Sequence, residues 1–367
     1  ILYVNSNQSL MKITKIEVVY PSYKASLRTW RPNLWQIITR VHTDNSKIFG
    51  YGTGGGGLAS VNVIKGHLSD LVINKNIESI EDIKTIFEEL YKESIPYGRG
   101  GIASMAISSI DLAIWDAYSK YYETPIKNLI EENTKNHISK IKTYATGNDV
   151  EVYNKLGFIN YKLSVRSSEN FKKDTETLVK EISRIRNKFQ NTQNIMLDSY
   201  MSWDIEYTIK MSKSLSDLDI YWFEDVSTPD QMLNSKSFLD ELNGIFLAGG
   251  EHDLNYENFS IMKNNNTYNF WQPDITWCGG ISALLKIILI SSGKYPIILH
   301  RGGEPWGLPL IQSGKVENLA EIHSPYDKKI SMEQWNNNSV MNFDEGILEL
   351  NNYLGFGSEP KERIFNE

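Results

Sequence analysis

The chain has 367 residues, 41% hydrophobic and 23% charged, which is ordinary for a globular protein and excludes wholesale disorder. A formal net charge of −7 argues against nucleic acid as the main partner, because phosphate binding needs a clustered basic face. No apolar run reaches the roughly 20 residues a bilayer demands, since SALLKIILI (282–290) is broken by Lys286, so no membrane partner is expected.

The length predicts two domains, or one large barrel with additions. Residues 1–10 lack the basic and apolar regions of a signal peptide and read as an extension ahead of Met11. From there the pattern divides into 11–135, 136–330 and 331–367. The first part opens with strand-like ITKIEVVY (13–20) and LWQIITRVHT (34–43). A glycine cluster, YGTGGGG (51–57), follows, then helical stretches at 80–92 and 103–122. Strands followed by helices, without alternation, read as α+β. Gly52, Gly54 and Gly57 satisfy G-x-G-x-x-G. A dinucleotide site would need a βαβ unit around them. The cluster is therefore expected to be a mobile loop, and no nucleotide cofactor is expected.

From about residue 138, short β-branched and aromatic runs alternate with helical stretches: KIKTYAT, FINYKLS, NIMLDS, IYWFED, IFLAGG, NFWQPDI and YPIILH. A weaker eighth run lies near 319–323. This fits an α/β fold with a TIM-type barrel of about 190 residues, an open doubly wound sheet being the competing architecture. The tail from 331 breaks the alternation and is expected to pack back on the first domain. Cys278 stands alone, so no internal disulfide is possible, which suits a reducing cytoplasm.

The acids fall at strand ends. Asp198, Glu224, Glu251, Asp274 and then His300 are separated by 26, 27, 23 and 26 residues, close to one βα unit each. In a barrel that places one ionisable group per strand on the face where active sites are built. Three converging carboxylates, Asp198, Glu224 and Glu251, need a compensating charge. An all-oxygen donor set favours a hard cation, Mg²⁺ before Mn²⁺ or Ca²⁺. His300 has Asp274 one unit earlier to fix its tautomer and raise its basicity. Lys162, at the end of FINYKL, is placed to neutralise a substrate carboxylate, the alternative being a snorkelling strand lysine.

With SSIDLAIWD (108–116), the acid series and the Asp274/His300 pair, the chain resembles the enolase superfamily, mandelate racemase branch. TYATGNDVEVYNKLGFINYKL (143–163), MLDSYMSWD (196–204), GGEH (249–252) and QPDITWCGG (272–280) resemble the rhamnonate dehydratases and related sugar-acid dehydratases. The resemblance implies an α+β capping domain over a modified (β/α)7β barrel and a homo-oligomer. It also implies one Mg²⁺ per site on Asp198, Glu224 and Glu251, and Glu321 hydrogen-bonding the substrate carboxylate. Two departures stand out. Lys162-Leu163-Ser164 keeps one lysine of a common Lys-x-Lys, and Asp198-Ser199-Tyr200 replaces a common Asp-x-Asn. Losing the second lysine removes an opposing base and favours dehydration of a sugar acid to a 2-keto-3-deoxy acid over racemisation. A non-catalytic sugar-acid-binding barrel is the reading from a different class. Arg28, Trp30 and Arg31 sit in a loop placed to close over such an acid. Trp277 and Cys278 read as packing residues, and chemistry alone gives Glu304 and Trp306 of HRGGEPWG (300–307) no role.

Overall fold

The computed structural model describes residues 10–21, 36–323, 336–338 and 341–366; Arg28, Trp30 and Arg31 lie outside the described residues. Strands β1 (Met11–Val19), β2 (Ile37–Thr43), β3 (Phe49–Gly54) and β4 (Asn76–Ile77) form an antiparallel sheet in the order β3-β2-β1-β4. Two helices cover it. Ile80–Ser94 starts in a capping box of Ser79 and Asp82 and buries Ile83, Ile86, Phe87 and Leu90 at helical spacing. The helix Ile102–Tyr121 is buried almost all round.

The glycine cluster is not a mobile loop throughout, contrary to the sequence expectation. Gly50, Gly52 and Gly54 belong to β3, which lies directly on the helix Ile102–Tyr121. A Cβ at Gly50 would stand 1.9 Å from the Ala113 carbonyl oxygen, and one at Gly52 2.2 Å from that of Ser109. Glycine is needed there for close approach of two backbones. The turn follows at Gly56 and Gly57, with φ of 82° and 54°.

The second layer is a parallel sheet curled into a barrel. Strands β5 (Lys140–Thr146), β6 (Asn160–Ser164), β7 (Asn194–Asp198), β8 (Ile220–Glu224), β9 (Phe246–Gly249) and β10 (Phe270–Trp271) pair in sequence, and β11 (Ala320–His323) returns to pair with β5. This is the expected modified (β/α)7β barrel with a separate α+β cap. The predicted strand 295–300 is reduced to a single bridge, Trp271 to Ile297, because Pro296 has no N–H for a ladder. Inside the barrel Tyr144, Met196, Trp222, Ala248 and Ile298 pack as one buried cluster.

Near the C-terminus β12 (Asn336–Asn338) pairs with β15 (Ser358–Pro360). The hairpin of β13 (Met341–Asp344) and β14 (Ile347–Leu350) adds antiparallel to β5. The last residues also reach the cap: the buried Asp116 accepts from Phe356 N–H at 2.8 Å, and Arg40 pairs with Glu362 at 2.6 Å. Cap and barrel meet at Asp111, which accepts from the backbone N–H of Ser282 at 3.1 Å and from its hydroxyl at 2.5 Å. Among the described residues no helix is long and apolar enough to cross a membrane.

Candidate active site

Strand periodicity builds the site. Met196 and Trp222 face the barrel interior as register partners, so two residues on, Asp198 and Glu224 face the same way and are partners in turn. On the neighbouring strand Lys162 lies level with Met196, and Ser164 level with Asp198. The barrel core thus ends in a ring of polar side chains at its C-terminal rim.

Lys162 is no snorkelling lysine. It is 1% exposed, and its ammonium contacts Glu224, Glu321 at 2.7 Å and Asp198 at 3.8 Å. Burial disfavours the charge, but Glu224 and Glu321 together hold its pKa well above the usual lysine value. Glu224 turns its second oxygen to the Trp222 indole N–H at 2.9 Å and the Gln272 amide at 2.8 Å. Burial nonetheless pushes its carboxyl up to about 7, against Lys162. Burial likewise raises Asp198, with Glu251 adding to the effect.

Glu251 lies between two histidines, 3.1 Å from His252 Nε2 and 3.1 Å from His300 Nε2. Burial opposes its ionisation, but His300 and His252 hold it at about 2. The opposite ring nitrogen of His300 lies 2.9 Å from Asp274 Oδ2. Asp274 is fixed from the other side by the backbone N–H and hydroxyl of Thr276, each at 2.7 Å, and by Arg301 Nε at 3.0 Å. Burial works against the charge on His300, yet Glu251 and Asp274 raise it to about 9. Glu321 accepts from Thr146 at 2.5 Å and from Arg301 N–H at 2.8 Å, and its carboxylate lies 3.0 Å from His323. Against burial, His323 and Lys162 keep it well below the ordinary glutamate range.

The structure therefore gathers Lys162, Asp198, Glu224, Glu251, Asp274, His300 and Glu321 at one rim. It adds Asp225, His252, His323 and Arg301, which the sequence reading did not single out. Asp225, His252 and Arg301 each directly follow a residue that was named, and that adjacency was the available signal. Trp277 packs at this rim: its ring lies 6.1 Å from His252 and 5.7 Å from His300, with the Arg301 guanidinium over it at 5.2 Å. Trp306 instead packs on Phe356, and Glu304 lies 3.8 Å from Arg301. Tyr161 donates to the Phe158 carbonyl at 2.5 Å.

The donor chemistry fits a hard divalent cation. Burial pushes Asp198, Glu224 and Asp225 upward, each raised further by neighbouring carboxylates, so negative charge is in excess. Asp225 also carries a buried oxygen with no hydrogen-bond donor. Among the described residues, the groups whose ligand atoms all lie within 4.8 Å of one another are Asp225/Glu251/His252 and His300/Glu321/His323. Asp198/Glu224/Glu251 is not so compact, Glu224 being drawn to Lys162 and Glu251 to the histidines.

The fold and this rim define a class. The chain belongs to the mandelate racemase/muconate lactonizing enzyme branch of the enolase superfamily: residues 146–364 match the enolase C-terminal domain-like family, and 36–131 the mandelate racemase/muconate lactonizing enzyme N-terminal domain. A Caldivirga maquilingensis protein provisionally assigned as an L-rhamnonate dehydratase is 27% identical over 310 residues, covering 84% of this chain and 74% of that protein. The crystal structure of L-rhamnonate dehydratase from Gibberella zeae superposes with a TM-score of 0.83 at 22% identity, over 98% of this chain and 96% of that one. A second structure of the enzyme from that organism, complexed with Mg, gives 0.79 at 21% identity, over 98% and 97%. At these identities the structural likeness shows the fold.

Proposed function

We propose that the protein is a Mg²⁺-dependent sugar-acid dehydratase. It takes an aldonate, removes the proton α to the carboxylate, expels the 3-hydroxyl as water and gives a 2-keto-3-deoxy acid. The observation that carries this reading is the His300–Asp274 pair beside the acid rim, and the rhamnonate dehydratase names among the relatives support it. Asp198, Glu224 and Glu251 would hold the cation. When bound, it supplies the positive charge that makes an α-proton acidic next to a carboxylate, as the handling of enediolates in this superfamily requires.

The chain's own residues supply the rest. Asp274, pinned by Thr276 and Arg301, keeps His300 Nδ1 protonated; with the Glu251 charge given over to a cation, the proton that Glu251 holds on Nε2 would be released and Nε2 would serve as the base. His300 takes the α-proton and then returns a proton to the departing hydroxyl on the same face, so one residue serves both steps. Lys162 offers its ammonium to the substrate carboxylate. Glu321, held ionised, is an acceptor that positions Lys162 and the Arg301 backbone; hydrogen-bonding a substrate carboxylate, as the resemblance implies, would require it to take up a proton.

Rhamnonate is the first substrate proposed, ahead of arabinonate, fuconate, gluconate and galactonate, in a cytoplasmic homo-oligomer. Epimerisation would need a second base opposite His300. Ser164 is far too weak, and His252 or His323 would have to face the α-carbon. His300→Asn is expected to lose both dehydration and exchange of the α-proton with deuterated water; retention of either activity contradicts the assignment.

A further inference from the structure

Beside the carboxylates assigned to Mg²⁺, the rim carries a cluster of different donor chemistry. Glu321 and His323 stand two residues apart on β11, so their side chains leave the same face of the strand. Their parallel partners on β5 are Tyr144 and Thr146, and Tyr144 packs inside the barrel, so that face is the interior and its rim. The His300 ring meets the His323 ring edge to face at 5.7 Å.

Tetrahedral Zn²⁺, with bonds of about 2.0–2.2 Å, needs donor atoms about 3.3 Å apart. Glu321 lies 3.0 Å from His323 Nε2 through one oxygen and 4.0 Å from His300 Nε2 through the other. One donor atom from each of the three residues lies within 4.8 Å of the others. The far nitrogen of His300 is 2.9 Å from Asp274, which Thr276 and Arg301 hold in turn. A carboxylate in that position orients an imidazole toward a metal and strengthens it as a ligand. Burial lowers the His323 pKa in spite of Glu321 beside it, so this ring is neutral and able to ligate. Thr146 and Lys162 occupy one oxygen of Glu321, at 2.5 and 2.7 Å. Among the described residues the other accepts only from Arg301 N–H, at 2.8 Å, which leaves it a lone pair for a cation.

Lys162 opposes a further positive charge, but the rim as a whole favours one. Among the described residues, Asp198, Glu224, Asp225, Glu251, Asp274 and Glu321 share only Lys162 and Arg301 as permanent cations there. One Mg²⁺ leaves negative charge in excess, and a second divalent cation removes it.

We propose that His300, Glu321 and His323 form a second metal site, for Zn²⁺ or a similar transition-metal cation, and that a cation there stops turnover by taking the His300 lone pair. Two imidazoles and one carboxylate select such a cation over Mg²⁺, which prefers oxygen donors in octahedral geometry. The block rests on His300 being the base of the proposed dehydration; the site itself does not.

Co²⁺ is the probe, because it absorbs strongly in a tetrahedral site and only faintly in an octahedral oxygen site. Titrating the full chain with Co²⁺ in a large excess of Mg²⁺ is expected to give a saturable, intense visible band that Zn²⁺ bleaches. His323→Gln and His300→Asn are each expected to weaken Co²⁺ binding by about tenfold or more. His252→Gln, which alters the neighbouring Asp225/Glu251/His252 group, should leave it unchanged. No intense band, a band erased by raising Mg²⁺, or one that needs His252 and not His323 would overturn the site. In the keto-acid assay, Zn²⁺ is expected to inhibit at fixed excess Mg²⁺, with His323→Gln about tenfold less sensitive. Equal sensitivity would overturn the block at His300. The band is read without turnover, so its loss speaks against the site alone, and absence of keto acid against the dehydratase reading alone.

Discussion

Lys162 joins stability to chemistry at a single residue. Its ammonium compensates Glu224 and Glu321, both as deeply buried as itself. Removing one partner of a buried ion cluster strands the others, at a cost of about 3–5 kcal/mol. Lys162→Met is therefore expected to lose that much stability in urea unfolding as well as turnover; wild-type stability would return the lysine to a purely catalytic role. The strand-end acids were legible because a period of two inside each strand and a period near 25 between strands both leave marks in a single sequence. Lys162 could be placed at its strand end but its burial could not be read, since the same apolar flanks suit a snorkelling side chain. Asp225 and His252 stayed hidden because an acid or histidine one to three positions beyond a strand end looks like an ordinary loop residue.

The elements show the same division. Most barrel strands are where alternating apolar runs put them, and the helix Ile102–Tyr121 matches its periodic stretch within a residue at each end. Strand 295–300 shrinks to a bridge because one proline removes a donor. The glycine cluster was misread because a strand kept bare for helix contact and a flexible loop have the same composition. Gly52→Ala should force β3 off Ser109 and Ala113 and cost about 1–3 kcal/mol, measurable as a lowered denaturation midpoint. An unchanged midpoint would mean the two backbones have room to separate.

Glu17 ties β1 to β2 through Arg40 at 2.6 Å and His42 at 2.5 Å, and Arg40 in turn holds Glu362. Burial works against its charge, but bonds from Lys15, His42 and Arg40 lower its pKa from 4.5 to about 2. A folded pKa below the unfolded one means the stabilisation is fully present above about pH 4.5 and is lost as pH falls toward 2. Glu17→Gln should therefore flatten that part of the stability–pH curve measured by thermal unfolding. An unaltered slope between those pH values would show that the cluster does not stabilise the fold.

For the whole molecule, the seam between cap and barrel matters most. Asp111 of the cap accepts two hydrogen bonds from Ser282, and Gly279 N–H donates to Ser108 at 2.8 Å, so the cap is anchored beside the loop carrying Asp274 and Trp277. Two halves of different texture were legible in the sequence, whereas this seam was not, because buried polar contacts between distant segments leave no periodic mark. The most direct measurement is incubation with a panel of aldonic acids and Mg²⁺, assaying 2-keto-3-deoxy acids alongside the α-epimer of each substrate. The account predicts a keto acid from at least one aldonate, rhamnonate first, with formation abolished by exhaustive chelation. Interconversion of α-epimers with no keto product, or full turnover after chelation, would contradict it.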